Sequence, residues 1–211
     1  MNDHSAKINI LARLREALGN KTPNPFPNIE NNSFPELNKE DYPEIIFAKK
    51  FQEWGGKFIY CENRIELLKN LSRLCADKKI APLYTADQTL IKKAENINFK
   101  SLKYGLPESG SYSAITYCDA LIAENGAIMI SNNVPYGQLY ASDTENLLII
   151  ATASQVSFTI AEAMADFQKW NGAPAANMLV IEGISTVYNE DFVAMPGSGA
   201  KQIYIFMIDE E

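Results

Sequence analysis

The stretch that most limits what this chain can fold into is Asp119-Ala120-Leu121-Ile122-Ala123-Glu124-Asn125-Gly126-Ala127-Ile128-Met129-Ile130-Ser131. An apolar run enters Glu-Asn-Gly and an apolar run leaves it. Asn-Gly tolerates positive φ at both positions, so it is the strongest short signal for a hairpin turn. Both arms carry Ile, Leu and Ala with little polar interruption, the pattern of strands buried on both faces. Glu124 then stands where a buried strand meets a tight turn. Strand ends are where α/β folds place chemistry, because the scaffold is rigid there and the loop is open. The plainer reading is a hairpin corner with the Glu124 carboxylate in water.

Similar apolar runs recur along the chain. Residues 57–61, 80–84, 97–102, 146–152, 178–181 and 202–208 read as strands, with Pro82 pointing to an edge or a late start. Helical stripes lie between them. In residues 43–54 the stripe is Phe47, Phe51 and Trp54, opened by Pro43 and closed by Gly55-Gly56. After the strand at 57–61, Asn63 and Glu66 resemble a capping box ahead of Leu67, Leu68, Leu71, Leu74 and Cys75. Residues 86–94 follow as a helix and 105–113 as a loop. Ser154 can cap a helix with the stripe Val156, Ile160, Ala163, Met164 and Phe167, ended by Gly172. Alternating strands and helices imply an α/β domain: a mostly parallel sheet flanked by helices, with an antiparallel piece at the Glu-Asn-Gly turn.

Residues 1–42 read differently. Residues 5–18 form an amphipathic stripe of Ile8, Leu11, Leu14 and Leu18, stopped by Gly19-Asn20. A stretch dense in Pro and Asn follows, in which no regular element survives. The expected organisation is an N-terminal helix and linker over residues 1–42, then an α/β domain over 43–211. The helix would be an arm docked on its own domain or on a second copy, a route to a homo-oligomer.

Composition removes several classes of function. The net charge is −7, which repels phosphate backbones and makes nucleic acid an unsuitable partner. No apolar run approaches the roughly 20 residues that span a bilayer. The N-terminus has no signal-peptide pattern, so the expected compartment is the cytoplasm. The single histidine, His4, rules out a Ser-His-Asp triad, a Cys–His pair or a multi-histidine metal site within one chain. Cys61, Cys75 and Cys118 lack the spacing of a zinc or iron–sulfur site and read as packing residues. No metal site is expected, and no cofactor is identified.

Three stretches can carry chemistry. At the first turn, Glu124 is a candidate nucleophile or general base, with Asn125 and Gly126 beside it. In Gly197-Ser198-Gly199-Ala200-Lys201, backbone amides and Lys201 can cradle an anion, although the P-loop pattern is absent. Glu182-Gly183-Ile184-Ser185-Thr186 can offer hydroxyls and amides, with Glu190 following. The plainer reading of the glycine turn, an ordinary connection before a strand, is the favoured one, and the stretch at 182–186 equally reads as a strand-to-helix cap. The pair Asp143 and Glu145 is a lesser candidate.

Ile122-Ala123-Glu124-Asn125-Gly126-Ala127-Ile128 resembles the Ile-Ala-Glu-Thr-Gly-Thr-hydrophobic signature of the LUD (lactate-utilisation) domain. Ile10-Leu11-Ala12-Arg13-Leu14-Arg15-Glu16-Ala17-Leu18-Gly19 is similar to the start of the lactate-utilisation protein C branch. The element order from Phe47 to Ile208 follows that family too. The resemblance implies a NagB/RpiA/CoA transferase-like fold. It implies a non-redox accessory subunit in oxidation of L-lactate, or a similar small hydroxy acid, to pyruvate, beside iron–sulfur oxidoreductase subunits. A small anionic metabolite would bind at Glu124, Asn125, Gly126, Thr186, Glu190, Gly197, Gly199 and Lys201. Glu-Asn-Gly is also the context of the nucleophilic glutamate in CoA transferases, so the alternatives are acyl or CoA transfer through Glu124 and a non-catalytic metabolite-binding module. The chain departs from the family pattern at Tyr188, where an aspartate is usual, at Ser198, where a histidine is usual, and around residues 142–146, where a second histidine motif is replaced.

Overall fold

The computed structural model describes residues 42–174, 176–181, 200 and 202–208. The expected N-terminal arm, with its linker up to residue 41, lies outside the described residues, as does Val193-Ala194, an apolar pair before Pro196 that reads as a short strand.

The order of elements is α1 (Pro43–Glu53), β1 (Lys57–Cys61), α2 (Arg64–Lys78), β2 (Leu83–Thr85), α3 (Gln88–Asn96), β3 (Leu102–Tyr104), β4 (Tyr112–Tyr117), β5 (Ala120–Ile122), β6 (Ala127–Ser131), α4 (Gly137–Asp143), β7 (Thr144–Thr152), a 3-10 turn (Ala153–Gln155), β8 (Val156–Ser157), α5 (Ile160–Asn171), β9 (Met178–Ile181) and β10 (Gln202–Ile208). Six strands form a sheet in the order β1-β10-β7-β4-β2-β3, every neighbouring pair parallel. A second sheet has the order β8-β5-β6-β9, with β5–β6 and β6–β9 antiparallel. The expected α/β architecture, a mostly parallel sheet flanked by helices, is the architecture found.

Two-fold alternation within each apolar run sorts the core. On β7 and β10, Leu147, Ile149, Ala151, Ile203, Ile205 and Met207 face one layer, which also holds Phe47 and Phe51 of α1, Tyr140 of α4, and Leu121, Ile128 and Ile130 of the second sheet. The interleaved Leu148, Ile150, Tyr204, Phe206 and Ile208 face Leu67, Leu68, Leu71 and Cys75 of α2 and Leu90 and Ala94 of α3. The outer face of the second sheet, with Ile122, Ala127 and Met129, packs on Ala163 and Phe167 of α5. A run buried on both sides cannot afford polar positions, which is why these strands read as unbroken hydrophobic segments.

Several local expectations change. The segment 97–102 is a turn, with Asn98 at φ 61, and the strand starts only at Leu102. β4 begins at Tyr112 inside the expected loop and sits centrally in the sheet, and α4 has no counterpart among the expected elements. Thr159, not Ser154, caps α5: its hydroxyl accepts from the Glu162 amide while Glu162 accepts from the Thr159 amide, a reciprocal pairing. Val156 lies in β8, and Ile160 and Met164 face solvent. Val156 and Ile160 share helical spacing, so the apolar pattern runs one turn further back than the helix itself. At α2, Asn63 accepts from the amides of Ile65 and Glu66, as a cap should, but Glu66 reaches one residue further back, to the amide of Glu62.

The three cysteines are buried and unpaired with one another. Burial pushes the Cys61 thiol up to about 11 and the Cys75 thiol up to about 12, and raises Cys118 as well. These thiols are therefore packing groups rather than nucleophiles. Among the described residues no helix is long and apolar enough to cross a membrane.

Candidate functional site

Because all six strands of the large sheet are parallel, their carboxyl ends lie along one edge. Over that edge opens a cleft of about 480 Å³. The ends of β4, β7 and β10 form its floor with Tyr117, Thr152 and Ile208. The first turns of α2 and α3 form a wall with Arg64, Leu67, Leu68, Thr89 and Leu90, and Trp170 enters from the last turn of α5. This is the position at which open α/β sheets bind their ligands.

Asp87, which ends the β2-to-α3 turn, is the centre of the polar groups here. One carboxylate oxygen accepts from the backbone amides of Thr89 and Leu90 at 2.7 and 3.1 Å, capping α3. The other accepts from the Tyr117 hydroxyl at 2.5 Å. Burial pushes the Asp87 carboxyl up, but the Tyr117 hydroxyl, the Leu90 and Thr89 amides and the Thr89 hydroxyl together outweigh it and hold the group below the usual carboxylate range. Burial, then the bond to Asp87 and its charge, raises the Tyr117 phenol, against a lowering by the nearby Arg64 guanidinium. Asp87 is thus a held carboxylate that accepts hydrogen bonds. It is a poor proton acceptor at neutral pH.

The depressed value makes Asp87 a contributor to acid sensitivity. Its charge stabilises the native state above the ordinary carboxylate value of 3.8, and that contribution is lost as pH falls through the lowered native value. Asp87→Asn keeps a good helix cap and removes the charge. In urea titrations at pH 6 and pH 3, the stability advantage of the wild type over Asp87→Asn is expected to shrink at the lower pH. Parallel curves would show that the charge contributes nothing.

Two cations, Arg64 and Lys93, line the same cleft. The helix amides beside them are already used: Asn63 takes those of Ile65 and Glu66, and Asp87 takes those of Thr89 and Leu90. An anion entering here must be met by the side chains of Arg64 and Lys93 rather than by bare helix ends. The Gln155 side chain ties the far side together, donating to the Cys118 carbonyl at 2.6 Å and accepting from the Thr152 amide at 2.8 Å.

The Glu-Asn-Gly turn lies elsewhere. It is a four-residue loop, 123–126, because the last paired residues are Ile122 and Ala127. The expected two-residue Asn-Gly turn is not formed: only Gly126 takes positive φ, at 69. The amides of Ala123 and Glu124 donate to the carbonyls of Ser157 and Phe158 at 2.9 and 3.0 Å. The Trp54 indole donates to the Asn125 carbonyl at 2.9 Å, and Gly126 lies against the backbone of Lys50 and Phe51. The turn is therefore anchored on α1. Glu124 is exposed and does not line the cleft. Thr186, Glu190, Gly197, Gly199 and Lys201 lie outside the described residues. Asp143 is exposed, and Glu145 accepts from Ser111 at 3.3 Å, away from the cleft.

The residues that do meet in the cleft come from six separate segments of chain, so no motif spacing announces them. One signal was available. Asp87 follows a short apolar run and precedes a helical stripe, the place where a strand-end carboxylate meets a ligand in many α/β sheets. Read as a helix cap alone, it loses that meaning.

No protein-family model matches the chain, and no curated protein matches it. Among solved structures, a DUF162 family protein from Deinococcus radiodurans superposes with a TM-score of 0.57 at 12% identity, over 79% of this chain and 96% of that chain. A ribose 5-phosphate isomerase from Plasmodium falciparum aligns with a TM-score of 0.31 at 16% identity, over 56% of this chain and 53% of that one. DUF162 is another name for the LUD-domain family. The first likeness establishes that this chain shares the fold of a DUF162 protein.

Proposed function

We propose that the chain is a divergent LUD-domain protein whose cleft binds a small hydroxylated organic anion. In this reading it serves as a non-redox subunit in the oxidation of L-lactate or a similar hydroxy acid to pyruvate. The observation that carries the binding part is that Arg64 and Lys93 share one cleft with the Asp87–Tyr117 pair. A carboxylate would meet the two cations, and a hydroxyl would donate to Asp87 or Tyr117. Support for the family part is the signature at residues 122–128 together with the fold shared with a DUF162 protein. The oxidation itself would fall to iron–sulfur oxidoreductase subunits, because the cysteines of this chain lack cluster spacing. This chain would bind and orient the substrate.

Calorimetric titration with L-lactate, glycolate and pyruvate tests the binding. Charge-assisted hydrogen bonds contribute roughly 1.5–3 kcal/mol each. Losing one is therefore worth about tenfold or more in affinity, and the double variant Arg64→Ala/Lys93→Ala is expected to bind on the order of 100-fold more weakly. Unchanged affinity in that variant, or no heat with any hydroxy acid, would reject the site. Recovery of an iron–sulfur subunit in a native pull-down tests the assembly.

Acyl or CoA transfer through Glu124 is the second reading. It draws on the exposure of Glu124 beside a turn held rigid by Trp54. Hydroxylamine trapping after incubation with acyl-CoA would mark Glu124 if this reading holds. The contribution of Asn125, Gly126, Thr186, Glu190, Gly197, Gly199 and Lys201 to an anion site around Glu124 belongs with it, tested by whether Lys201→Ala lowers that labelling. A homo-oligomer built through the N-terminal arm is a further part of the proposal, read out by the mass of a chain lacking residues 1–42.

A further inference from the structure

The cleft is larger than a hydroxy acid needs. At about 480 Å³ it belongs with clefts of roughly 300–1,000 Å³ that enclose ligands of many atoms. A three-carbon acid would leave most of that volume to water. Its walls also offer apolar side chains that such an acid would leave uncovered: Leu67, Leu68, Leu90, Ile150 and Ile208 line it alongside the polar groups.

Trp170 adds a second observation. It lines the cleft, yet 62% of its surface is exposed. A large indole held in water at a cleft mouth is a surface on which a flat ring can stack. Asp87 adds a third. It stands directly after β2, at the carboxyl edge of a parallel sheet, the position from which an acidic residue accepts the hydroxyls of a ribose in dinucleotide folds. The phosphate side differs from those folds. After β1 the chain reads Glu62-Asn63-Arg64, with no glycine-rich loop, and the Ile65, Glu66, Thr89 and Leu90 amides at the starts of the two flanking helices already donate to Asn63 and Asp87. Phosphates would need side-chain cations, and Arg64 and Lys93 are those cations.

We propose that the cleft takes a nucleoside phosphate, its base stacked on Trp170, its ribose hydroxyls donating to Asp87, and its phosphates on Arg64 and Lys93. This inference rests on the anion-binding reading above and specifies the ligand class of the same site. It requires no bond to form or break.

The test is a titration of the full chain with ADP, followed by intrinsic tryptophan fluorescence, beside thermal shifts with ADP and with L-lactate. ADP is expected to quench the emission saturably. Trp170→Ala is expected to lose the quench and to weaken ADP by about tenfold, the effect of removing one base-stacking partner. Trp170→Phe should keep most of the affinity, since Phe also offers a ring. The wild type should prefer ADP over its 2′,3′-dideoxy analogue, and Asp87→Asn should narrow that preference. Trp170 is exposed, so its variants are expected to fold.

If ADP gives no saturable signal while L-lactate still raises the melting temperature in an Arg64-dependent way, the nucleotide inference is wrong and the anion site stands. If neither ligand acts, both fall. ADP binding that is indifferent to Trp170→Ala and Asp87→Asn would also overturn the inference, by placing the nucleotide elsewhere.

Discussion

Phe51→Ala is expected to destabilise the protein by about 3–5 kcal/mol, the range for removing a large buried aromatic side chain. Phe51 has no exposed surface and stacks on Phe47 with ring centroids 5.5 Å apart and planes within 13°. Its ring also occupies the space that a side chain at position 56 would need: a Cβ there would come within 2.3 Å of the ring. No neighbouring side chain at Gly56 can close the gap left by alanine, so the cavity term is felt in full. The backbone of Phe51 in turn supports the loop at 123–126. One residue thus joins α1, the turn into β1 and the second sheet. Urea unfolding followed by circular dichroism gives the measurement. A loss below about 1 kcal/mol, well under the usual cost of such truncations, would mean that α1 is not part of the cooperative core.

Gly126→Ala is expected to cost about 2–5 kcal/mol, from two separable sources. Gly126 sits at φ 69, where an L side chain costs roughly 1–2 kcal/mol. A Cβ would also lie 2.7 Å from the Phe51 amide nitrogen and 2.8 Å from the Lys50 carbonyl carbon. Those are backbone atoms of a helix and cannot rotate aside, so overpacking adds roughly 1–3 kcal/mol. The same displacement would stretch the bond from Trp54 to the Asn125 carbonyl. Near-ultraviolet dichroism should therefore change along with the unfolding midpoint. A wild-type midpoint in Gly126→Ala would place the turn away from α1.

These two predictions bear on the same fact about the Glu-Asn-Gly stretch. As sequence it announced a turn between two buried strands, and that turn exists. What sequence spacing could not convey was its neighbour. The glycine is needed for left-handed backbone and also for close approach to a helix that lies 70 residues or more earlier in the chain. Glu124 stands at the polar interruption of a hydrophobic run, on the exposed turn and apart from the cleft lined by Asp87 and Tyr117.

Among the strands, legibility followed length and burial. β1, β7 and β10 are legible to within two residues because unbroken runs of aliphatic and aromatic residues bounded by turn signals admit few other structures. β4 was missed although it is central, because Tyr112, Ser113, Thr116 and Tyr117 dilute its apolar character. Tyr117 has a reason to break the run: its hydroxyl reaches out of the sheet edge to Asp87. The feature that hid the strand is the one that makes it part of the cleft.

Local physics acts between near neighbours, so the chain alone determined what near neighbours decide: the alternation of strands and helices, the caps at Asn63 and Gly172, and the buried cysteines. Only folding decided which strand ends came together. Parallel pairing aligned the carboxyl ends of β4, β7 and β10, and that alignment brought Arg64, Asp87, Lys93, Tyr117 and Trp170 to one cleft from distant segments. Their proximity is a property of the sheet register, which is set by burial summed over the whole core and is written in no single stretch of residues.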